Sequence, residues 1–476
     1  MAGQKITIEP VTRIEGHARV TIHLNDAGEV EQTYLHVDEF RGVEKFCEGR
    51  PYFEMTHLTQ RICGICPVSH HLASAKACDA VAGVKPPRPA LLLRELLHMG
   101  QMVQSHSLHF FHLAAPDLIF GFDADPAKRN VIGIIEAYPA LALKAVNLRR
   151  YGQQIIERLG GKRVHPNLCV PGGVNGPLSR ADRDAMAAER ETMLGYVQEA
   201  ITIGKDLLGA DPQLTQSFAS FPTGYMGMVD EEGGLQLYDG QIRVKDAEGR
   251  LVAQFEPSDY RDYVAEHVER WSFLKFPYYR DLGWPQGAYR VGPLGRLNVI
   301  DKVGTPLADE EFKLYRGSQV NGKPVEGSLY YHYARLIEDL YAVERIGELL
   351  DDPDILSKDV RNYPATRLVG HGVGVVEAPR GTLFHEYWAD SDGLLTRVNL
   401  IVATGHNNWA MNQAAGMVAK QFVDGQKLTE GMLNRVEAAI RCYDPCLSCA
   451  THALGQMPLE IELVAANGIV LDSLAR

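Results

Sequence analysis

The sequence predicts a mainly α protein with α+β elaborations: a central bundle of long helices, with short strands at the N-terminus. Three observations carry this reading. Helical apolar periodicity recurs over long stretches, Pro87–Ala115, Asn130–Leu159, Arg180–Leu208 and Gly327–Leu350. Apolar and polar residues alternate over Lys5–Pro10, Ala18–Leu24 and Val30–Val37, the pattern of short strands. Two Cys-x-x-Cys pairs, Arg61-Ile-Cys-Gly-Ile-Cys66 and Asp444-Pro-Cys-Leu-Ser-Cys449, stand near opposite ends of the chain, so only a large folded body can bring them together.

Local signals set the order of elements. Pro87 and Pro89 suit a helix start, and Ser179 is placed to cap the helix that opens at Arg180. The stretch Gln213–Thr305 is rich in Gly, Pro and aromatic residues. No flexible linker bounds it, so it reads as an α/β elaboration with a hairpin over Gln241–Phe255 turning at Glu248-Gly249. A strand over Leu394–Val402 leads into a helix from Asn408, and Glu430–Arg441 is helical. Leu459–Leu471 alternates like two strands around Asn467-Gly468. Residues 1–476 are expected to form one domain.

Bulk composition narrows the function. A net charge of −12 argues against nucleic acid or an anionic membrane as partner, since both need a basic face. No apolar run reaches the roughly 18 residues that span a bilayer. The start, Met1-Ala-Gly-Gln-Lys-Ile-Thr-Ile, has neither an apolar signal core nor a twin-arginine stretch, so a cytoplasmic location is expected. Gly370-His-Gly-Val-Gly374 is glycine-rich, but Pro379 follows where a nucleotide-binding helix should open, so no nucleotide site is expected.

In a reducing compartment, paired cysteines are metal ligands or redox groups more often than disulfides. Four soft thiolates select zinc, iron, nickel or copper. A structural zinc ribbon spaces its pairs roughly 15–20 residues apart, far closer than these. Cys47, Cys78, Cys169 and Cys442 lack the spacing of an iron–sulfur motif and read as buried free thiols.

The two cysteine motifs, the second extended as Asp444-Pro-Cys-Leu-Ser-Cys-Ala-Thr-His452, resemble the signatures of the nickel–iron hydrogenase large subunit. Further matches cover nearly the whole chain: Thr12-Arg-Ile-Glu-Gly-His17, Phe40-Arg-Gly-Val-Glu44, His165-Pro166 with Pro171-Gly-Gly-Val174, and Glu377-Ala-Pro-Arg-Gly381. Ser69-His-His-Leu72 and Ser448–Pro458 resemble the cytoplasmic, bidirectional NAD-reducing subgroup. The resemblance implies the large-subunit fold and reversible heterolytic cleavage of dihydrogen at a Ni–Fe centre whose iron carries carbon monoxide and cyanide. Cys63 and Cys446 would be terminal nickel ligands, and Cys66 and Cys449 would bridge to iron.

The same resemblance places other residues. Glu15 would relay the proton first taken by the Cys446 thiolate; read from the residues alone, it is a carboxylate in a turn. Arg380 would lie over the open side of the metals, with Asp117 expected as its buried partner. His70 would tune a cysteine sulfur through a hydrogen bond. Ala403 and Thr404 align with the segment that contacts a cyanide, although the family usually has proline at the first position. Glu44 and His452, with the Leu400 carbonyl, resemble a hard-metal site that usually holds magnesium. His106, His109 and His112 share one helical face and are expected to be core histidines bonded to backbone or carboxylate.

The resemblance also implies partners. An iron–sulfur small subunit would take the electrons, and a flavin diaphorase module with FMN would pass them to NAD. A maturation endopeptidase would cut after His452 and remove residues 453–476; on the residues alone that tail is a terminal β-hairpin. Three other readings are a deazaflavin- or ferredoxin-linked hydrogenase, a structural zinc protein, and the non-enzymatic quinone-pocket scaffold of respiratory complex I. That last relative lacks the paired cysteines.

Overall fold

The computed structural model describes residues 4–363, 367–451, 460–464 and 470–475. Four long helices, Arg88–Leu108, Pro139–Gly160, Arg180–Gly209 and Tyr330–Asp351, pack in a closed bundle in which each touches two others. Tyr330–Asp351 is buried along most of its length, as an inner helix of a large core must be. The expected cap is present: Ser179 Oγ accepts from Asp182 N–H at 3.0 Å.

Two of the expected helical runs are interrupted, both at proline. Asn130–Leu159 becomes Val131–Ala137 and Pro139–Gly160, with Tyr138 outside helical geometry at φ −136°, ψ 60°. Pro139 has no N–H and disfavours a helical residue before it, so it starts a new helix. The run beginning near Pro87 is α-helical over Arg88–Leu108, π-helical over His109–Ala114 and α-helical again over Ala115–Phe120. Pro116 would clash with the carbonyl four residues back; the wider turn accommodates it.

The N-terminal strands form as expected: Lys5–Ile8, Arg19–Leu24 and Val30–His36 make an antiparallel sheet, with Lys5 opposite His23 and Arg19 opposite His36. The middle region supplies a four-stranded sheet that contains the expected hairpin, Gln241–Lys245 with Leu251–Phe255. A second antiparallel sheet is made by His371–Ala378, Gly381–Ala389 and Leu395–Ile401. Val375, Phe384 and Ile401 of this sheet join Met226, Ile242 and Phe255 of the other in a small core of their own. In the tail, Glu460–Val464 pairs antiparallel with Val470–Ala475.

The glycine-rich stretch after Gly370 lies in the strand His371–Ala378, against the helix Pro67–Ala82. A Cβ at Gly374 would stand 2.0 Å from the Ala73 carbonyl oxygen. These glycines therefore serve close strand–helix packing. That contact fixes the helix that starts immediately after Cys66.

Charges inside the core are paired. Arg296 donates to Glu338 at 2.6 Å and to Glu377 at 2.8 Å, and His106 Nε2 lies 2.9 Å from Glu338. Burial alone would raise the Glu338 carboxyl, but Arg296 and His106 hold it at about 2. Burial lowers His71 and His406 to about 3 and His98 to about 4, so all three fold as neutral rings.

Gly374→Ala should destabilise the fold by about 1–3 kcal/mol through overpacking, measured by chemical unfolding. Acid should also destabilise it. The three histidines titrate near 6.5 when unfolded, so their contribution is complete above that pH and is lost as pH falls from 6.5 through 4 toward 3. Each should add a slope of about 1.4 kcal/mol per pH unit in that window. His98→Gln, which keeps a donor for the Glu377 carbonyl, should flatten the slope between pH 6.5 and 4.

Candidate metal centre

The two cysteine motifs meet. Cys63 follows a short turn over Thr59–Ile62, and Cys66 is the residue from which the helix Pro67–Ala82 starts. The second motif leaves the helix Glu430–Arg441 through Asp444, whose φ of 53° bends the chain, and Cys446 starts a short helical turn over Leu447–Ala450. Cys63 Sγ is 3.3 Å from Cys446 Sγ, Cys66 Sγ is 3.4 Å from Cys449 Sγ, and Cys446 and Cys449 are 3.0 Å apart. All four are buried and free, and their sulfurs lie within 4.8 Å of one another.

The electrostatics suit a cation. The backbone N–H groups of Ile65 and Cys66 point at Cys63 Sγ, at 3.2 and 3.3 Å. Hydrogen bonds from the thiols of Cys446, Cys449 and Cys66 hold the Cys63 thiol well below its ordinary range, whereas burial pushes Cys446 and Cys449 up. Four converging soft donors with spare lone pairs fit one or two thiophilic ions.

The N-terminal segment splints the second motif into place. Glu15 N–H donates to Pro445 O at 3.3 Å, Leu447 N–H donates to Glu15 O at 3.0 Å, and Ser448 N–H donates to Glu15 Oε2 at 3.1 Å. Glu15 is half-buried and pairs through its backbone with Cys446. Gly16, at φ +83°, permits this approach: a Cβ there would meet Leu447 Cβ at 2.8 Å. Arg41, which sequence reasoning passed over inside its own motif, binds both halves of the centre. Its Nη1 donates to Ile62 O at 2.6 Å and Ser448 O at 3.3 Å, and its N–H donates to Thr451 O.

Arg380 stands at the turn between the strands His371–Ala378 and Gly381–Ala389, and its partner differs from the one expected. Nε donates to the Asp444 carbonyl at 2.6 Å and Nη2 to Asp444 Oδ1 at 2.9 Å. Asp117 instead gathers Arg13 at 2.5 Å, Arg129 at 3.3 Å and Arg441, with Asn434 at 3.1 Å. The reason is placement: Asp444 belongs to the cysteine motif that Arg380 covers, while Asp117 lies beyond the π-helical turn and faces Arg13 and the helix Glu430–Arg441. The available sequence signal for Asp444 was its position two residues before Cys446.

The histidine-rich helix holds no ligand triad. His106 faces Glu338, His109 Nε2 lies 2.8 Å from the Arg441 carbonyl, and burial lowers half-buried His112. His70 does reach the centre. With Cys66, Cys446, Cys449, Arg380, Ala403 and Thr404 it lines a small cavity of about 10 Å³, the space of about one water. Thr404 Oγ1 also accepts from Cys446 N–H at 3.0 Å. A cavity of about 420 Å³ beside Gln216, Lys323 and Tyr330 is far larger and contains none of these groups.

Glu44 sits apart from the sulfurs, where its Oε1 accepts from Leu400 N–H at 2.7 Å. The amide of Leu400, on the strand Leu395–Ile401, thus orients the carboxylate. His452 lies outside the described residues.

The Asp117 cluster sets a measurable expectation. Asp117→Asn removes the buried carboxylate shared by Arg13, Arg129 and Arg441, leaving Arg129 to Glu430 and Arg441 to Glu437, and should cost about 3–5 kcal/mol in chemical unfolding. A loss under about 1 kcal/mol would show the cluster to be screened like a surface pair.

Comparison with known proteins agrees with this geometry. The family model described as nickel-dependent hydrogenase matches residues 41–131 and 215–452, and a model described as HoxL-like matches residues 5–40. The chain is 45% identical to the NAD-reducing hydrogenase HoxS subunit beta of Cupriavidus necator, over 99% of this chain and all of that one. It is 30% identical to sulfhydrogenase 2 subunit alpha of Pyrococcus furiosus, over 94% of this chain and 98% of that one. Among solved structures, an NAD⁺-reducing [NiFe]-hydrogenase in the H₂-reduced state superposes with a TM-score of 0.91 at 45% identity, covering 95% of this chain and 100% of the other. The Ni-Fe-Se hydrogenase of Desulfovibrio vulgaris Hildenborough shares the fold, with a TM-score of 0.76 at 23% identity over 94% of this chain and 100% of that one.

Proposed function

We propose a specific role on the premise that this chain belongs to the nickel-dependent hydrogenase family: it is the catalytic subunit of an NAD-reducing hydrogenase. The observation that carries the reading is the meeting of four buried cysteine sulfurs within 4.8 Å, in a chain similar along its whole length to an NAD-reducing subunit. When bound, a nickel–iron pair with carbon monoxide and cyanide on the iron supplies the Lewis acidity that polarises dihydrogen for heterolytic cleavage.

The residues divide the remaining work. Cys63 and Cys446 would hold nickel as terminal ligands, and Cys66 and Cys449 would bridge it to iron; four sulfurs within 4.8 Å of one another are close enough to share two metals. Glu15, joined by its backbone to both sides of Cys446, carries the proton away. Arg380, anchored on Asp444, places a fixed positive charge at the cavity, where it favours anionic diatomic ligands. Ala403, Thr404 and His70 complete the wall around those ligands. Glu44, the Leu400 carbonyl and His452 hold a hard ion such as magnesium.

The assembly follows from the same reading. Electrons leave through an iron–sulfur small subunit and reach NAD through a diaphorase with FMN, in the cytoplasm. Residues 1–476 form one large-subunit domain, and an endopeptidase removes 453–476 after metal insertion.

The direct test is dihydrogen-dependent NAD⁺ reduction by the purified complex, abolished by Cys446→Ser. Reduction of a deazaflavin or ferredoxin without NAD⁺ would reassign the acceptor. No dihydrogen consumption with any acceptor by a nickel-loaded complex would contradict the reading. Glu15→Gln should keep its metals and the Ser448 contact, yet slow exchange between dihydrogen and deuterated water at least about 100-fold. Unchanged exchange would remove Glu15 from the proton path.

A further inference from the structure

A buried chain of three side chains runs outward from the metal centre. His70 Nδ1 lies 3.1 Å from His385 Nε2, and His385 Nδ1 lies 2.6 Å from the Tyr387 hydroxyl. His385 and Tyr387 are two residues apart on the strand Gly381–Ala389, so both side chains point to one face. That strand packs on the helix Pro67–Ala82, which carries His70. Each of the three residues is at most 1% exposed, so water does not compete for these hydrogen bonds.

The order of protons along this chain matters. A neutral imidazole has one donor and one acceptor nitrogen. If the Tyr387 O–H donates to His385 Nδ1, then His385 Nε2–H donates to His70 Nδ1, and His70 carries its own proton on Nε2. In the reverse order His70 Nε2 bears a lone pair. Thiolates accept hydrogen bonds and give none, so a ring on the cavity wall beside Cys66 and Cys449 is favoured when it presents N–H. Burial holds the Tyr387 phenol well above its ordinary value, so the hydroxyl keeps its proton.

We propose that Tyr387 and His385 are positioning residues that lock His70 as its Nε2–H tautomer and aim that N–H into the cavity lined by Cys66 and Cys449. The inference rests on the metal-centre reading above. His70 is the group that meets the centre; Tyr387 and His385 act through it.

Infrared spectra of the purified, metal-loaded complex test this, because carbonyl and cyanide stretching frequencies report electron density at the iron. Tyr387→Phe removes a single oxygen atom and should shift these bands with nickel and iron content unchanged. His385→Gln retains an amide donor for His70 Nδ1, so its bands should lie nearer the wild type than those of His385→Phe. In the His385→Gln background, Tyr387→Phe should then have little further effect. Bands unmoved in metal-loaded Tyr387→Phe would overturn the proposal, and that variant alone decides if His385→Phe does not assemble. Absence of carbonyl and cyanide bands from the wild type would reject the underlying metal-centre reading instead.

Discussion

Everything near the centre depends on one constraint: residues 383 positions apart must hold their sulfurs 3.3–3.4 Å from one another in a buried space. Neither cysteine motif can do this alone. The first is set by a helix pinned through glycine contacts to a strand. The second follows a helix end and a left-handed residue, and it is steadied by backbone bonds from Glu15. Arg41 reaches carbonyls in both motifs, and Asp117 binds Arg13 and Arg441, which flank the splint and the second motif. The N-terminal segment is thus part of the site's framework.

The second constraint is electrostatic. Sulfur ligands bring negative charge into a region from which water is excluded, and each such charge carries a desolvation cost. The structure answers with fixed positive charge close by. Arg380 is locked to Asp444 in two directions and stands beside the sulfurs, so its placement needs no reorganisation when ligands bind. Farther out, the Arg296–Glu338–Glu377 group binds the turn that carries Arg380: Arg296 donates to the Ala378 carbonyl at 2.9 Å and the Pro379 carbonyl at 3.2 Å.

Much of this was legible in the sequence where the signal is local. Ser179 marks a helix start by its own chemistry, Gln241–Phe255 by alternation around a turn, and the cysteine motifs by spacing and flanking residues. The choice of partner was less legible. Arg380 takes Asp444 and not Asp117 because of how a π-helical turn directs the end of its helix, which no periodicity reveals. The break at Tyr138 was present in the sequence as Pro139 and could have been read from it. Arg41 gave no separate signal, since an arginine that bonds backbone carbonyls needs no complementary side chain elsewhere.

The central claim is that the two ends of the chain together make one nickel–iron thiolate centre. X-ray absorption at the nickel edge of the purified complex tests it most directly. The account predicts a nickel first shell dominated by sulfur, with an iron scatterer just beyond, and loss of that shell when Cys63 or Cys446 is replaced by serine. A shell of nitrogen and oxygen, or zinc bound at the four cysteines in place of nickel, would contradict it.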